Sequence, residues 1–395
     1  MTYEQIGVAR LINAAGTLTR LGGSLMDPEV TAAMSAAARS FVRMDQLHAA
    51  AGRRIAEWTG AEAGLVTAGA AASLTLAAAA CLAGFDLAVM DRLPDTTDLP
   101  NEIIVPRSHR NGYDHALRAA GARLIDVGLA ERTRDPQPWE IEAAITDRTV
   151  ALAFSVGFSP LKLADVAAVA RRRKLPLIVD ASAALPPKEN LRRFVAEGAD
   201  LVAFSGGKAI RGPQASGILC GRRDLIASAA LQMWDLDFLP ELWNPPSELI
   251  DAEVIRRGVP NHGIGRGMKV GKEEIIGLLV AMERFVARDD AAERDRLAKI
   301  SAQIVAGLAE LDAIRVTLVP REELWPVVRI EPTSGSPLDA IELARLLERG
   351  DPPVYLASGD AGNGRLGIDP FCLQSGEGEI VVARVRAAFE RFIHG

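Results

Sequence analysis

Cysteine is scarce in this chain of 395 residues: Cys81, Cys220 and Cys372 are odd in number and widely spaced. That count supports neither a disulfide framework nor a zinc knuckle, so no metal centre is expected and a reducing cytoplasm is the expected compartment. Long apolar runs are also missing. The most apolar stretch, 70–84, is interrupted by Ser73 and Thr75 and is too short to span a bilayer, so it reads as a buried helix. The opening MTYEQIGVARLINAAG has no basic region followed by an apolar core, and no secretory signal is expected. Surplus positive charge is absent as well. With 45 Lys and Arg against 51 Asp and Glu, the formal net charge is -6, which gives no general attraction to nucleic acid or anionic membrane. Any anionic ligand must therefore be held by local groups. Internal repeats and low-complexity tracts are likewise not found.

What remains is the composition of a globular enzyme, 49% hydrophobic and 24% charged, and too long for one compact core. Residues 1–45 read as an N-terminal arm, with Gly16, Gly22 and Gly23 around Thr17, Thr19, Arg20 and Ser24, and a helical stretch from about Pro28 to Phe41. Residues 46–255 read as a large domain. There EIIVP, ARLIDVG, TVALAFSV, LPLIVD and DLVAFS alternate with helical segments near 113–120, 138–146, 163–174 and 189–198. Short, wholly apolar strands separated by helices predict a mostly parallel sheet buried on both faces. Residues 256–395 read as a connector helix, EEIIGLLVAMERFVAR, followed by a small α/β domain with strands IRVTLV, PVVRIEP and PVYLAS around the helix LDAIELARLLERG.

Two residues carry the chemistry. Asp180 ends the strand LIVD, and Lys208 in SGGKAIRGPQASG follows the strand DLVAFS. Carboxyl ends of parallel strands are where such sheets bind ligands. A carboxylate there keeps a pyridine nitrogen protonated, and a lysine there forms a Schiff base and carries a proton. The pair therefore points to pyridoxal 5′-phosphate. Alone, Asp180 would be a helix cap and Lys208 a surface residue in a glycine turn. The segment TAGAAAS lies between a strand and a helix, so amides of Gly69, Ala70 and Ala71 can converge on a phosphate. It matches neither GxxxxGK nor GxGxxG, and by itself reads equally as an ordinary turn. Ser182 and Ser205 add hydroxyls beside Asp180 and Lys208. His109, after EIIVP, stands where an aromatic ring stacks on a cofactor, while His115 is given no role beyond packing.

The segments INAAGTLTRLGGS, FVRMDQLHAAAGRRIAEWTGAEAGLVTAGAAASL, HRNGYDHALRAAGA, VDASAALPP, FSGGKAIRGPQASGIL and GIGRGMKVGKEEI resemble the SelA-like branch of fold-type I pyridoxal-phosphate enzymes. That branch includes selenocysteine synthase relatives and D-glucosaminate-6-phosphate ammonia-lyase. The resemblance implies an aspartate-aminotransferase-like fold with a seven-stranded sheet. It also implies that Lys208 is the Schiff-base lysine, Asp180 the partner of the pyridine nitrogen, His109 the stacking ring and 69–71 the phosphate cup. It implies a homodimer in which Arg266 and Lys269 of GRGMK reach a phosphate across the interface; otherwise they are a solvated loop before a helix. Arg365 of GNGRLGIDP sits where fold-type I enzymes place a carboxylate-binding arginine, or is a surface arginine.

The cofactor does not define the reaction. An acidic chain that begins almost directly at its arm disfavours a tRNA-linked reaction. The expected activity is α,β-elimination from a small β-hydroxy amino acid or amino-sugar acid, with Arg20, Arg266 and Lys269 holding a distal phosphate or carboxylate and Arg365 the substrate α-carboxylate. Racemisation or epimerisation needs a second acid, for which His48, Tyr113 and His262 are the only residues apparent. Aldol cleavage, and a binding protein that keeps the scaffold without turnover, complete the alternatives.

Overall fold

The computed structural model describes residues 1–129 and 134–393. Its strands in chain order are β1 (Ile12–Ala14), β2 (Ala63–Thr67), β3 (Glu102–Pro106), β4 (Arg123–Val127), β5 (Thr149–Ser155) and β6 (Leu177–Asp180). They continue as β7 (Leu201–Ser205), β8 (Gly217–Gly221), β9 (Ile314–Val319), β10 (Val327–Pro332), β11 (Val354–Leu356) and β12 (Leu366–Ile368). The chain divides into two units, one of residues Met26–Ala287 and one that joins Met1–Leu25 to Arg288–Gly395.

The larger unit holds a seven-stranded sheet in the order β2-β8-β7-β6-β5-β3-β4. Only β8 runs antiparallel to its neighbours β2 and β7. Every residue of β2, β3 and β8 is buried, because helices cover both faces and leave no side for polar residues. One of these, Ala70–Ala83, is buried from Ser73 through Ala80. Its many alanines carry no bulk, so it lies close against the sheet and against the helix Arg223–Met233. Leu65, Leu76, Ile103, Ile178 and Leu219 fill this core. Since six strands share one direction, their carboxyl ends, including Thr67, Ser155, Asp180 and Ser205, line a single edge of the sheet.

The smaller unit has an antiparallel sheet β12-β10-β9, and a separate parallel pair joins β1 to β11. Ile12, Leu308, Val328, Leu343 and Val381 form its core. Asp339 caps the helix Ala340–Glu348 through a reciprocal box with Glu342.

The strands predicted in the alternating region all form. Strand β8, the pairing of β1 and β12 were not foreseen, and the grouping of segments differs from the boundaries at 45 and 255. Residues 26–45 and the connector helix, Lys272–Ala287, both group with the larger unit. The reason is local packing: Gly277 leaves room for Met34 of the helix Pro28–Ala37, and Arg284 pairs with Asp27 at 2.7 Å and Glu29 at 2.9 Å. No helix among the described residues is long and apolar enough to cross a membrane.

Candidate active site

Asp180 is the last residue of β6, paired in register with Ser155 of β5 and Ala203 of β7. Its carboxylate Oδ1 accepts the backbone N–H of Ser182 at 3.0 Å, which fixes its aim at the carboxyl edge of the sheet. Lys208 follows β7 in a turn closed by the Gly212 N–H donating to the Gly206 carbonyl at 2.9 Å. The lysine is half-buried. Burial pulls its pKa below the ordinary value, against a smaller opposing pull from the nearby Asp180 carboxylate. The fold thus brings Asp180 and Lys208 together from positions 28 residues apart in sequence, on neighbouring strand ends.

The turn between β2 and the helix Ala70–Ala83 lies along the same edge. Gly69 has φ 136° and ψ 166°, a backbone conformation open to glycine alone. Thr67 Oγ1 donates to the Gly69 carbonyl at 3.0 Å and lies 2.8 Å from Ser73 Oγ, which holds the turn from below. Gly217 of β8 stands between Thr67 and Ser205 in register. A methyl group on it would come within 2.4 Å of the Gly69 carbonyl carbon and 2.7 Å of the Ala70 nitrogen. The first-turn amides of Ala70 and Ala71 have no carbonyl one turn back to bond, so they are donors for an anion.

His109 departs from its expected place. It is 0% exposed, and its ring offers no open face on which a cofactor could stack. Nδ1 accepts the Ser155 N–H at 3.2 Å, Nε2 lies 2.9 Å from Ser159 Oγ, and the ring sits edge-on to Phe154. Burial lowers its pKa to about 4, over a weaker pull from Asp135, so the ring is neutral. With Nδ1 accepting, the proton belongs on Nε2. Asn111 and Tyr113 instead share a cavity of about 20 Å³ with Asp180 and Ser155. Asn111 Nδ2 donates to the His109 carbonyl at 3.0 Å, and its Oδ1 accepts the Tyr113 N–H at 2.8 Å. A sequence signal existed, an Asn-Gly turn two residues past the histidine, but nothing in it favoured Asn111 over His109.

The remaining candidates are scattered. Arg266 pairs with Asp235 at 3.2 Å, and Lys269 is exposed. The carbonyl between them, that of Met268, accepts the Ala68 N–H at 3.3 Å, so GRGMK abuts the 67–71 turn of its own chain. Arg20 and Arg365 belong to the smaller unit. Arg20 is exposed, 5.9 Å from the Tyr355 ring centroid. Arg365 already pairs with Glu331 at 3.0 Å and Asp360 at 3.4 Å, which is the surface alternative rather than a guanidinium held ready for a substrate carboxylate.

The family model described as SelA, L-seryl-tRNA selenium transferase, matches residues 11–235. The chain belongs to the SelA family. A 5′-C-glycyluridine monooxygenase-decarboxylase from Streptomyces sp is 34% identical, the match covering 98% of this chain and 91% of that one. A D-glucosaminate-6-phosphate ammonia lyase from Salmonella typhimurium is 31% identical over 98% of each. The solved structure of a D-glucosaminate-6-phosphate ammonia-lyase superposes with a TM-score of 0.79, at 29% identity and 98% coverage of both chains. A cysteine desulfurase from Escherichia coli, with a TM-score of 0.57 at 17% identity and 93% coverage of both chains, shares the fold.

Members of this SelA-family, fold-type I group are pyridoxal-phosphate enzymes, and so is this chain. Its own residues fit the group. The cradle of 69–71 is kept clear by Gly217, where any side chain would collide, and an amine disfavoured as ammonium stands beside a fixed carboxylate.

Proposed function

We propose that this member of the SelA family is an ammonia-lyase acting on a small β-hydroxy amino acid or amino-sugar acid, phosphorylated or not. It removes the α-proton, expels the β-hydroxyl and yields a 2-oxo acid and ammonia. The observation that carries this reading is Lys208 beside Asp180, an amine whose charged form is disfavoured by burial at the edge where the anion cradle also lies. When bound, pyridoxal phosphate supplies an electron-withdrawing ring that stabilises negative charge at the α-carbon.

The chain's groups divide the remaining work. Amides of Gly69, Ala70 and Ala71, with the hydroxyl of Ser205, hold the phosphate; Ser182 holds Asp180, and Asp180 keeps a proton on the ring nitrogen. Lys208, as the neutral amine, takes the α-proton of the substrate and returns it to the departing hydroxyl oxygen. Asn111 and Tyr113 line the space beside Asp180, and His109 acts as a positioning residue, tying the turn after β3 to β5. In a homodimer, Arg266 and Lys269 reach the partner's anionic groups. The setting is the cytoplasm and no nucleic acid takes part, consistent with the chain's negative charge.

The test is to incubate the cofactor-loaded protein with D- and L-β-hydroxy amino acids and phosphorylated amino-sugar acids. Ammonia, 2-oxo acid, dissolved oxygen and the enantiomeric composition of recovered substrate are followed together. Stoichiometric ammonia and 2-oxo acid are expected, with no oxygen uptake. Inverted substrate without ammonia, or oxygen uptake with release of carbon dioxide, would replace elimination with racemisation or oxidative decarboxylation.

A further inference from the structure

The cavity of about 20 Å³ beside Asp180 is too small for an organic ligand. It is large enough for one water, which needs roughly 10–15 Å³ and a few polar partners. Asp180, Ser155 and Asn111 supply such partners, while Val105, Ala153 and Ile178 make the wall around them apolar. Ser155 ends β5 and Asp180 ends β6, and the two are paired in register. Neighbouring strands run about 4.8 Å apart and in-register residues project to the same face, so hydroxyl and carboxylate stand side by side.

The direction of donation follows from Asn111. The Tyr113 N–H donates to Asn111 Oδ1 at 2.8 Å, which fixes the two ends of that amide. Nδ2 then donates to the His109 carbonyl at 3.0 Å and to Ser155 Oγ at 3.4 Å. Ser155 thus accepts on that side, and among the described residues none accepts its proton in turn. Asp180 Oδ1 takes the Ser182 N–H at 3.0 Å, which leaves further lone pairs on the carboxylate. A donor without an acceptor and an acceptor with room to spare therefore face one water-sized space.

We propose that Ser155 is a positioning residue that, through one buried water, holds the Asp180 carboxylate as the partner of the cofactor's ring nitrogen. This deepens the lyase reading and rests on its assignment of Asp180. A hydrogen bond donated to a carboxylate favours the charged form, and a charged carboxylate leaves the shared proton on the ring nitrogen. Without the Ser155 hydroxyl the proton moves toward Asp180, and the ring withdraws electrons less.

The experiment loads the protein with pyridoxal phosphate isotopically labelled at the ring nitrogen, and nitrogen NMR reports whether that atom is protonated. The unaltered protein is expected to give the protonated signal. Ser155→Ala keeps the backbone N–H that holds His109. It is expected to move the signal toward the unprotonated position and to lower kcat about tenfold, the scale of one hydrogen bond to a charged group, with KM little changed. Ser155→Thr, which keeps the hydroxyl, should retain the signal of the unaltered protein. High-resolution crystallography of the loaded protein should place one water in hydrogen-bonding reach of both Ser155 Oγ and Asp180. An unmoved signal in Ser155→Ala, a Thr variant shifted as far as the Ala variant, or no bridging water overturns the proposal and leaves Asp180 in its role. An unprotonated ring nitrogen in the unaltered protein overturns both. Should Ser155→Ala not fold, the bridging water in the unaltered crystal decides.

Discussion

Gly217→Ala perturbs the anion cradle without removing any group that bonds to a ligand. The added methyl would lie 2.4 Å from the Gly69 carbonyl carbon and 2.7 Å from the Ala70 nitrogen, both backbone atoms. Ordinary carbon contacts begin about 1 Å further out, so the 69–71 turn must move by that order. Overpacking of this kind costs about 1–3 kcal/mol of stability. Displacing one amide from a charged acceptor costs a further ~1.5–3 kcal/mol of binding, or roughly ten- to a hundredfold in cofactor affinity. Gly221→Ala is the control. Its methyl would lie 1.9 Å from the Asp200 carbonyl oxygen, at the far end of β8, and strains the backbone as well without reaching the cradle. Thermal denaturation and cofactor titration, followed by visible absorbance, are run on both variants. Both are expected to lose stability, and only Gly217→Ala to lose cofactor affinity beyond that. Cofactor binding by a folded Gly217→Ala protein at unaltered affinity would refute the cradle.

Lys208→Ala is expected to abolish the borohydride-fixed cofactor adduct, and mass spectrometry finding that adduct on another lysine would end the assignment. Lys208 also has a pH signature in the cofactor-free protein. Its folded pKa lies below the ordinary 10.5, so between those two values the unfolded chain binds more protons and stability rises with pH; Lys208→Met should flatten that rise in urea denaturation. Asp180→Asn is expected to keep the cofactor bound while turnover falls by orders of magnitude. Near-normal rates would remove its role. His109, with a pKa of about 4 against an ordinary 6.5, stays neutral as the unfolded chain protonates, so stability falls as pH drops from 6.5 toward 4. His109→Asn should lessen that fall and leave the absorbance maximum of the bound cofactor in place, whereas a large spectral shift would restore the stacking role.

Much of the larger unit was written in local pattern. Short apolar strands such as EIIVP and LIVD, separated by helical segments, require a parallel sheet covered on both faces, and such a sheet gathers its carboxyl ends along one edge. Asp180 and Lys208 were therefore legible as a pair, since each closes or follows a strand and neighbouring strands deliver them together. Gly217 as the brace of the cradle was not legible, because the constraint on it comes from Gly69, nearly 150 residues earlier, across a strand pairing that neither segment announces. The place of His109 was decided the same way. Sequence put a histidine after a strand, but whether its ring faces a ligand or turns inward depends on Ser155 and Ser159 of another segment, which capture both its nitrogens. Arg365 shows the same limit, since Glu331 reaches it only once β10 pairs with β12, whereas Asp360 lies in the turn just before it. Composition and periodicity fix which segments are buried strands and helices. The direction of a side chain is fixed by partners distant in sequence, and only the folded chain brings those together.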